Sequence, residues 1–201
     1  MELSPRARER LERIGELSQE EKDRLKDSEE LTQLLSDYFT DKLNPEDLWM
    51  TLKGYKDEGK ESIIRQAQLS LANALALESS DLDFERYRNG ILAVETLKGQ
   101  GQYLDLERNL NSIQSLRQQY REEKGRAFNA LKANIEKQIE MAARQMAQQT
   151  GNKRLAVDIQ GSAEASVRNS HQWKDFVSRH EREYSWEFKN RLAKLNTILQ
   201  T

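Results

Sequence analysis

The chain has 201 residues, enough for one or two domains of ordinary size. Ala, Glu, Lys, Leu and Arg supply 97 of them and Gly plus Pro only 11, a balance that favours long helices and excludes a turn-rich all-β fold. With 36% hydrophobic and 33% charged residues the chain is too polar for one large enclosed core and too rich in leucine for outright disorder, so an elongated, mainly α architecture is expected.

No cysteine is present, which excludes disulfide scaffolds, thiolate zinc sites, iron-sulfur clusters and cysteine nucleophiles. The start, MELSPRARERLERIGEL, is basic but lacks the apolar stretch of a secretory signal. No window approaches the ~18 apolar residues of a membrane span. A soluble, cytoplasmic protein with no membrane partner is the expectation. Residues 1–102 carry 15 basic against 22 acidic side chains, whereas residues 103–201 carry 17 against 12. Opposite signs would steer the halves together, within a chain or between chains, although solvated helix faces explain the pattern equally well.

Ser4-Pro5 opens a short helix carrying Leu11, Ile14 and Leu17. Ser18-Gln19-Glu20-Glu21 reads as a capping box starting a second, highly charged helix. Leu31, Leu34, Leu35, Tyr38 and Phe39 then make an apolar face, and Asn44-Pro45-Glu46 starts a helix bearing Leu48, Trp49 and Leu52. Lys60 to Leu77 is apolar on most of its circumference and is expected at the centre of an N-terminal helical bundle spanning 1–80.

The remainder, 81–201, is read as a helical coiled-coil arm. Ser80 or Asp81 caps a helix striped by Phe84, Tyr87, Ile91, Val94 and Leu97, which Gly99-Gln100-Gly101 interrupts. Leu106, Leu110, Ile113, Leu116 and Tyr120, then Phe128, Leu131, Ile135, Ile139, Ala142 and Met146, mark one helix of about 45 residues, or about 68 Å at 1.5 Å per residue. A kink or stutter is expected over Arg121–Arg126, where the heptad pattern lapses. Gly151-Asn152 ends this helix.

Next, Leu155, Val157, Ile159, Ala163, Ala165 and Val167 are all odd-numbered, the period of a strand. A three-residue loop, Gln160 to Ser162, would pair Ile159 with Ala163 and keep one apolar face. A short β or extended element over 154–168 follows, either a hairpin near 155–167, a single strand or a loop. Ser170 caps the last helix, whose seam Trp173, Val177, His180, Tyr184, Phe188, Leu192, Leu195 and Leu199 is expected to return antiparallel along Phe128–Met146.

Little in the sequence points to chemistry. Gly54–Glu61 fits G-x-x-x-x-G-K, but Glu61 stands where a phosphate loop needs a hydroxyl, and no strand precedes it. His180 with Glu183 gives one i, i+3 pair, too few ligands for a metal centre. No nucleophile elbow, zincin helix or dinucleotide fingerprint is present. The chain therefore reads as non-enzymatic, with no catalytic, cofactor, metal or small-molecule site. Nine basic residues over 113–154 against four glutamates suggest a phosphate-binding face, but an isoelectric point near 5.9 argues against nucleic acid as the main partner.

The leading function is a self-associating coiled-coil scaffold or protein-interaction protein. The alternatives are a chaperone-like client binder and a weak nucleic-acid binder through 113–154. Leu106, Leu110, Ile113, Leu116 and Tyr120 form the candidate dimer seam of a homo-oligomer, or else pack onto residues 84–97. Trp186, off the main seam, is the candidate exposed partner contact.

Overall fold

The computed structural model describes residues 18–99, 101–150 and 159–200, and each element in them is a helix. In chain order these are α1 (Gln19–Phe39), α2 (Pro45–Asp57), α3 (Glu61–Asn73), α4 (Asp81–Lys98), α5 (Tyr103–Thr150), α6 (Ile159–Asn169) and α7 (His171–Gln200). The chain is thus mainly α. The expected helix at Ser4–Leu17 lies outside the described residues. Contacts divide the chain into unit 1, Met1–Arg108 with Leu195–Thr201, and unit 2, Asn109–Lys194.

Unit 1 starts its helices where polar side chains can satisfy free backbone N–H groups. The Ser18 hydroxyl accepts from the Glu21 N–H at 3.3 Å while the Glu21 carboxylate accepts from the Ser18 N–H at 2.8 Å, completing the capping box of α1. Asn44 caps α2 with Pro45 at its first position, and Ser80 rather than Asp81 caps α4. Gly99 and Gly101 both adopt left-handed φ, 68° and 70°, which ends α4 and turns the chain into α5.

Helix α3 packs on α1, α2 and α4, and α4 also packs on α2. Leu31, Leu35 and Tyr38 of α1, Leu48 and Leu52 of α2, Ile64, Ala67 and Leu71 of α3, and Phe84, Ile91 and Val94 of α4 are buried. Each large side chain buried this way contributes about 1.5–3 kcal/mol. Helix α4, assigned by the sequence to the 81–201 segment, therefore shares the core of α2 and α3. Gly90 on α4 allows close approach of Leu71 from α3 and of the Tyr38 ring from α1, and the Tyr38 hydroxyl donates to the Arg86 carbonyl at 2.6 Å.

A polar network also lies inside unit 1. The buried Gln68 amide donates to the Ile91 carbonyl and to Glu95, each at 3.0 Å, and Lys98 donates to the Gln68 side-chain oxygen at 3.1 Å. Lys98 donates further to the Leu199 carbonyl at 3.3 Å, and Asn196 reaches Asn73 at 3.1 Å. Leu195 and Leu199 are fully buried. The end of α7 is thereby part of unit 1.

In unit 2, α5 and α7 run antiparallel. Ser112 meets Arg191, Tyr120 meets His180 and Tyr184, Lys124 meets Glu181 and Phe128 meets Trp173. Helix α7 consequently lines 112–128, not Phe128–Met146 as its length suggested. The reason is α6, which takes 159–169 and sets Glu164 against Lys132 and Arg168 over the Phe128 ring.

The strand or hairpin read near 155–167 is corrected from Ile159 onward, where the chain is helical; Leu155 and Val157 lie outside the described residues. Ala163 and Val167 are four apart and buried, whereas Ala165, which any strand face would bury with them, is exposed. The same apolar residues satisfy the helical period, and α6 has no partner-dependent ladder to complete. Helix α5 is continuous through Arg121–Arg126, the stretch for which a kink or stutter is the expectation. Polar residues there serve the antiparallel contact, Lys124 toward Glu181 and Glu123 toward His180. Leu106, Leu110, Ile113, Leu116 and Tyr120 are all buried within the single chain. These five side chains, the candidate dimer seam, are covered within the chain itself.

Two measurements check this core. A Cβ at Gly90 would sit 3.1 Å from the Tyr38 hydroxyl and 3.2 Å from Leu71, both belonging to buried side chains. Gly90→Ala is therefore expected to lower the melting temperature despite the gain of about 1 kcal/mol in helix propensity; a raised melting temperature would show that the contact yields. Burial pushes the Tyr38 phenol up to about 12 from 10. Because the folded chain holds this proton more tightly than the unfolded one, stability is intact below pH 10 and falls as pH rises toward 12. Urea midpoints across that range should decline less steeply in Tyr38→Phe.

Candidate partner-binding groove

The interior of unit 2 is a run of rings. Phe128 packs edge-on to Trp173 at 5.1 Å between centroids, Trp173 stacks on Phe176 at 5.6 Å, and Phe176 stacks on His180 at 5.0 Å. The other face of His180 stacks on Tyr120 at 5.0 Å, and Tyr184 closes the run 4.5 Å from His180 and 5.5 Å from Tyr120. Such pairs add about 0.5–1.5 kcal/mol each beyond their area. The His180 Nε2 lies 3.0 Å from the Tyr120 carbonyl. A carbonyl only accepts, so Nε2 carries the hydrogen, and Nδ1 faces the Glu123 carboxylate at 3.8 Å.

This ladder fixes the register of α5 against α7, and the register builds a groove on the outside. Leu116, Gln119 and Glu123, at helical spacing on α5, face Glu183, Tyr184, Trp186, Glu187 and Arg191 on α7 around an open depression of about 380 Å³. Arg191 closes one end, donating to Glu187 at 3.0 Å and to the Ser112 hydroxyl at 2.9 Å. Burial first, then the hydrogen bond to Glu123 and the charges of Glu123 and Glu183, push the Tyr184 phenol up to about 12. That phenol therefore stays protonated. Trp186 leaves 67% of its surface exposed, unusual for the largest side chain of a small domain.

Of the residues singled out from sequence, Trp186 and Leu116 both line the groove. Tyr120 lies beneath His180, and Leu106, Leu110 and Ile113 are core residues that do not line it. Glu123, Glu183 and Glu187 were missed. Their spacing around Trp186 on α7 was visible, but which α5 residues oppose them depends on the ladder's register.

The other candidates settle into structural roles. Lys60 of the Gly54–Glu61 stretch is held by Asp27 and Glu58, each at 2.8 Å. The buried His180 is engaged as described, His171 is exposed at the start of α7, and among the described residues no group of three or more His, Cys, Asp or Glu is placed to hold a metal. In the basic stretch 113–154, Arg117 is fully buried, Lys124 pairs with Glu181 at 3.2 Å and Arg144 lies 3.8 Å from Glu140.

The described residues define a mainly α protein with a polar groove beside an exposed indole. Among the described residues no helix is long and apolar enough to cross a membrane. Residues 49–199 match the profile of a family of unknown function (DUF6657), and the chain belongs to that family. The match runs from α2 through nearly all of α7 and includes every groove residue. No curated protein and no solved structure matched.

The ladder and the groove rim should separate cleanly in mutants. His180→Ala, which removes the ring between Tyr120 and Phe176, should cost about 2–4 kcal/mol of unfolding free energy. Trp186→Ala should stay within about 0.5 kcal/mol. Urea titrations of both variants check this; a large loss at Trp186 would make it a core residue.

Proposed function

We propose that this chain is a non-enzymatic protein-interaction or scaffold protein of the cytoplasm. In this reading the helices of unit 1 form a bundle, and the antiparallel helices of unit 2 act as a coiled-coil arm that displays the docking surface. The observation that carries the proposal is the exposed Trp186 at the rim of the groove. A large, rigid ring costs little conformational entropy to immobilise and gains much on being covered, which is why tryptophan anchors so many interfaces. Self-association belongs to the proposal, with a second copy among the partners that would cover this ring rather than the buried 106–120 residues.

A second reading has its own support. Met141 and Met146 on α5 are more than half exposed, and flexible thioethers suit a surface that holds varied apolar segments, as a chaperone-like client binder would. Nucleic-acid binding through 113–154 has weaker support, because several of its cations are buried or paired.

A photo-reactive phenylalanine analogue placed at position 186 in the full chain tests the leading proposal. Discrete adducts in cells, absent when the probe is moved to the exposed position 22 on α1, are expected. An adduct of twice the 23.5 kDa chain mass identifies a second copy, and other masses identify another protein. Adducts at position 146 but none at 186 would replace the leading reading with the second.

A further inference from the structure

We propose that the Trp186 groove takes an arginine side chain presented by a peptide segment of a partner protein. The inference rests on the docking reading above and adds the chemistry of the occupant. Three carboxylates, Glu123, Glu183 and Glu187, stand around the groove with one guanidinium, Arg191. That guanidinium is committed to Glu187 and to Ser112, so it closes the end of the groove instead of offering itself to a ligand.

Glu123 and Glu183 are left beside the indole. Glu123 lies 3.8 Å from the His180 Nδ1 and acts on the Tyr184 phenol, which burial first and then the charges of Glu123 and Glu183 keep protonated. The Glu123 carboxylate keeps further lone pairs for an incoming donor. An anionic segment entering here would meet like charge from both helices. Arg126 also acts on the Tyr184 phenol, with a smaller effect than Glu123 or Glu183.

A guanidinium suits this arrangement better than an ammonium. It is planar, so it can lie on the exposed indole face, and its fork of donors can meet two carboxylates in one plane. The groove is an open depression of about 380 Å³ bounded by two helices. It admits one long side chain with its flanking backbone, and it lacks the enclosure that small-molecule sites use to bury a free ligand.

The test uses the full chain with ¹⁵N-labelled tryptophan and two acetylated pentapeptides, glycine-flanked with a central arginine or a central citrulline, the uncharged isostere of arginine. The Trp186 indole signal is assigned by its loss in Trp186→Phe. The arginine peptide should shift that signal saturably, with affinity about tenfold above the citrulline peptide. The double variant Glu123→Gln, Glu183→Gln should lose that preference while its other indole signals, from Trp49 and Trp173, stay in place.

Equal affinity for both peptides overturns the arginine inference and leaves docking at Trp186 standing. A preference that survives in the double variant overturns the assignment to this groove. No shift with either peptide also overturns the inference, whereas the docking reading stands or falls on the cross-linking at position 186.

Discussion

Two antiparallel helices can bury little more than the one face they share, and in unit 2 that face is filled with rings. Stacked and edge-on rings prefer particular offsets, so the ladder from Phe128 to Tyr184 holds α5 and α7 in one register where a seam of leucines would tolerate sliding. The hydrogen bond from His180 to the Tyr120 carbonyl strengthens this. A polar ring buried in an apolar stack has to find its partner, and only one register supplies it. The outer groove then follows: Ser112 opposite Arg191 and Glu123 opposite His180 are consequences of where the rings sit.

Unit 1 solves the same problem of specificity differently. Its apolar faces alone would let α3 and α4 rotate against each other. The contact of Gly90 with Leu71 fixes their closest approach, and the network of Gln68, Glu95 and Lys98 fixes their rotation, since a half-made buried network costs more than an apolar substitute. Both devices place a polar requirement inside the core and satisfy it with partners far away in the chain.

How much of this was legible beforehand varies from residue to residue. The caps at Ser18, Asn44, Ser80 and Ser170 were readable because capping depends on neighbours within about three positions. The stripes of Leu31 to Phe39 and Phe84 to Leu97 were readable because burial imposes the helical period. The segment around Ala163 misled because residues four apart are also two steps of two, and with so few apolar positions the strand and helix periods coincide; only the exposure of Ala165 separates them. Pairings over long separations, such as Gln68 with Glu95 and Glu123 with Tyr184, left no local mark. Trp186 stood out as an aromatic residue off the seam, yet the carboxylates around it gained meaning only from the opposing helix.

Lys98, Asn73 and the burial of Leu195 and Leu199 have a consequence for the order in which the molecule can be made. Unit 1 draws on chain from both sides of unit 2, so a ribosome finishes every residue of unit 2 before it delivers the last pieces of unit 1. Helices α1 to α4 emerge early with the places of Leu195 and Leu199 unfilled and with Lys98 lacking the Leu199 carbonyl. During that interval the nascent chain carries an open apolar face, and the final turns of α7 act as the latch that shuts it.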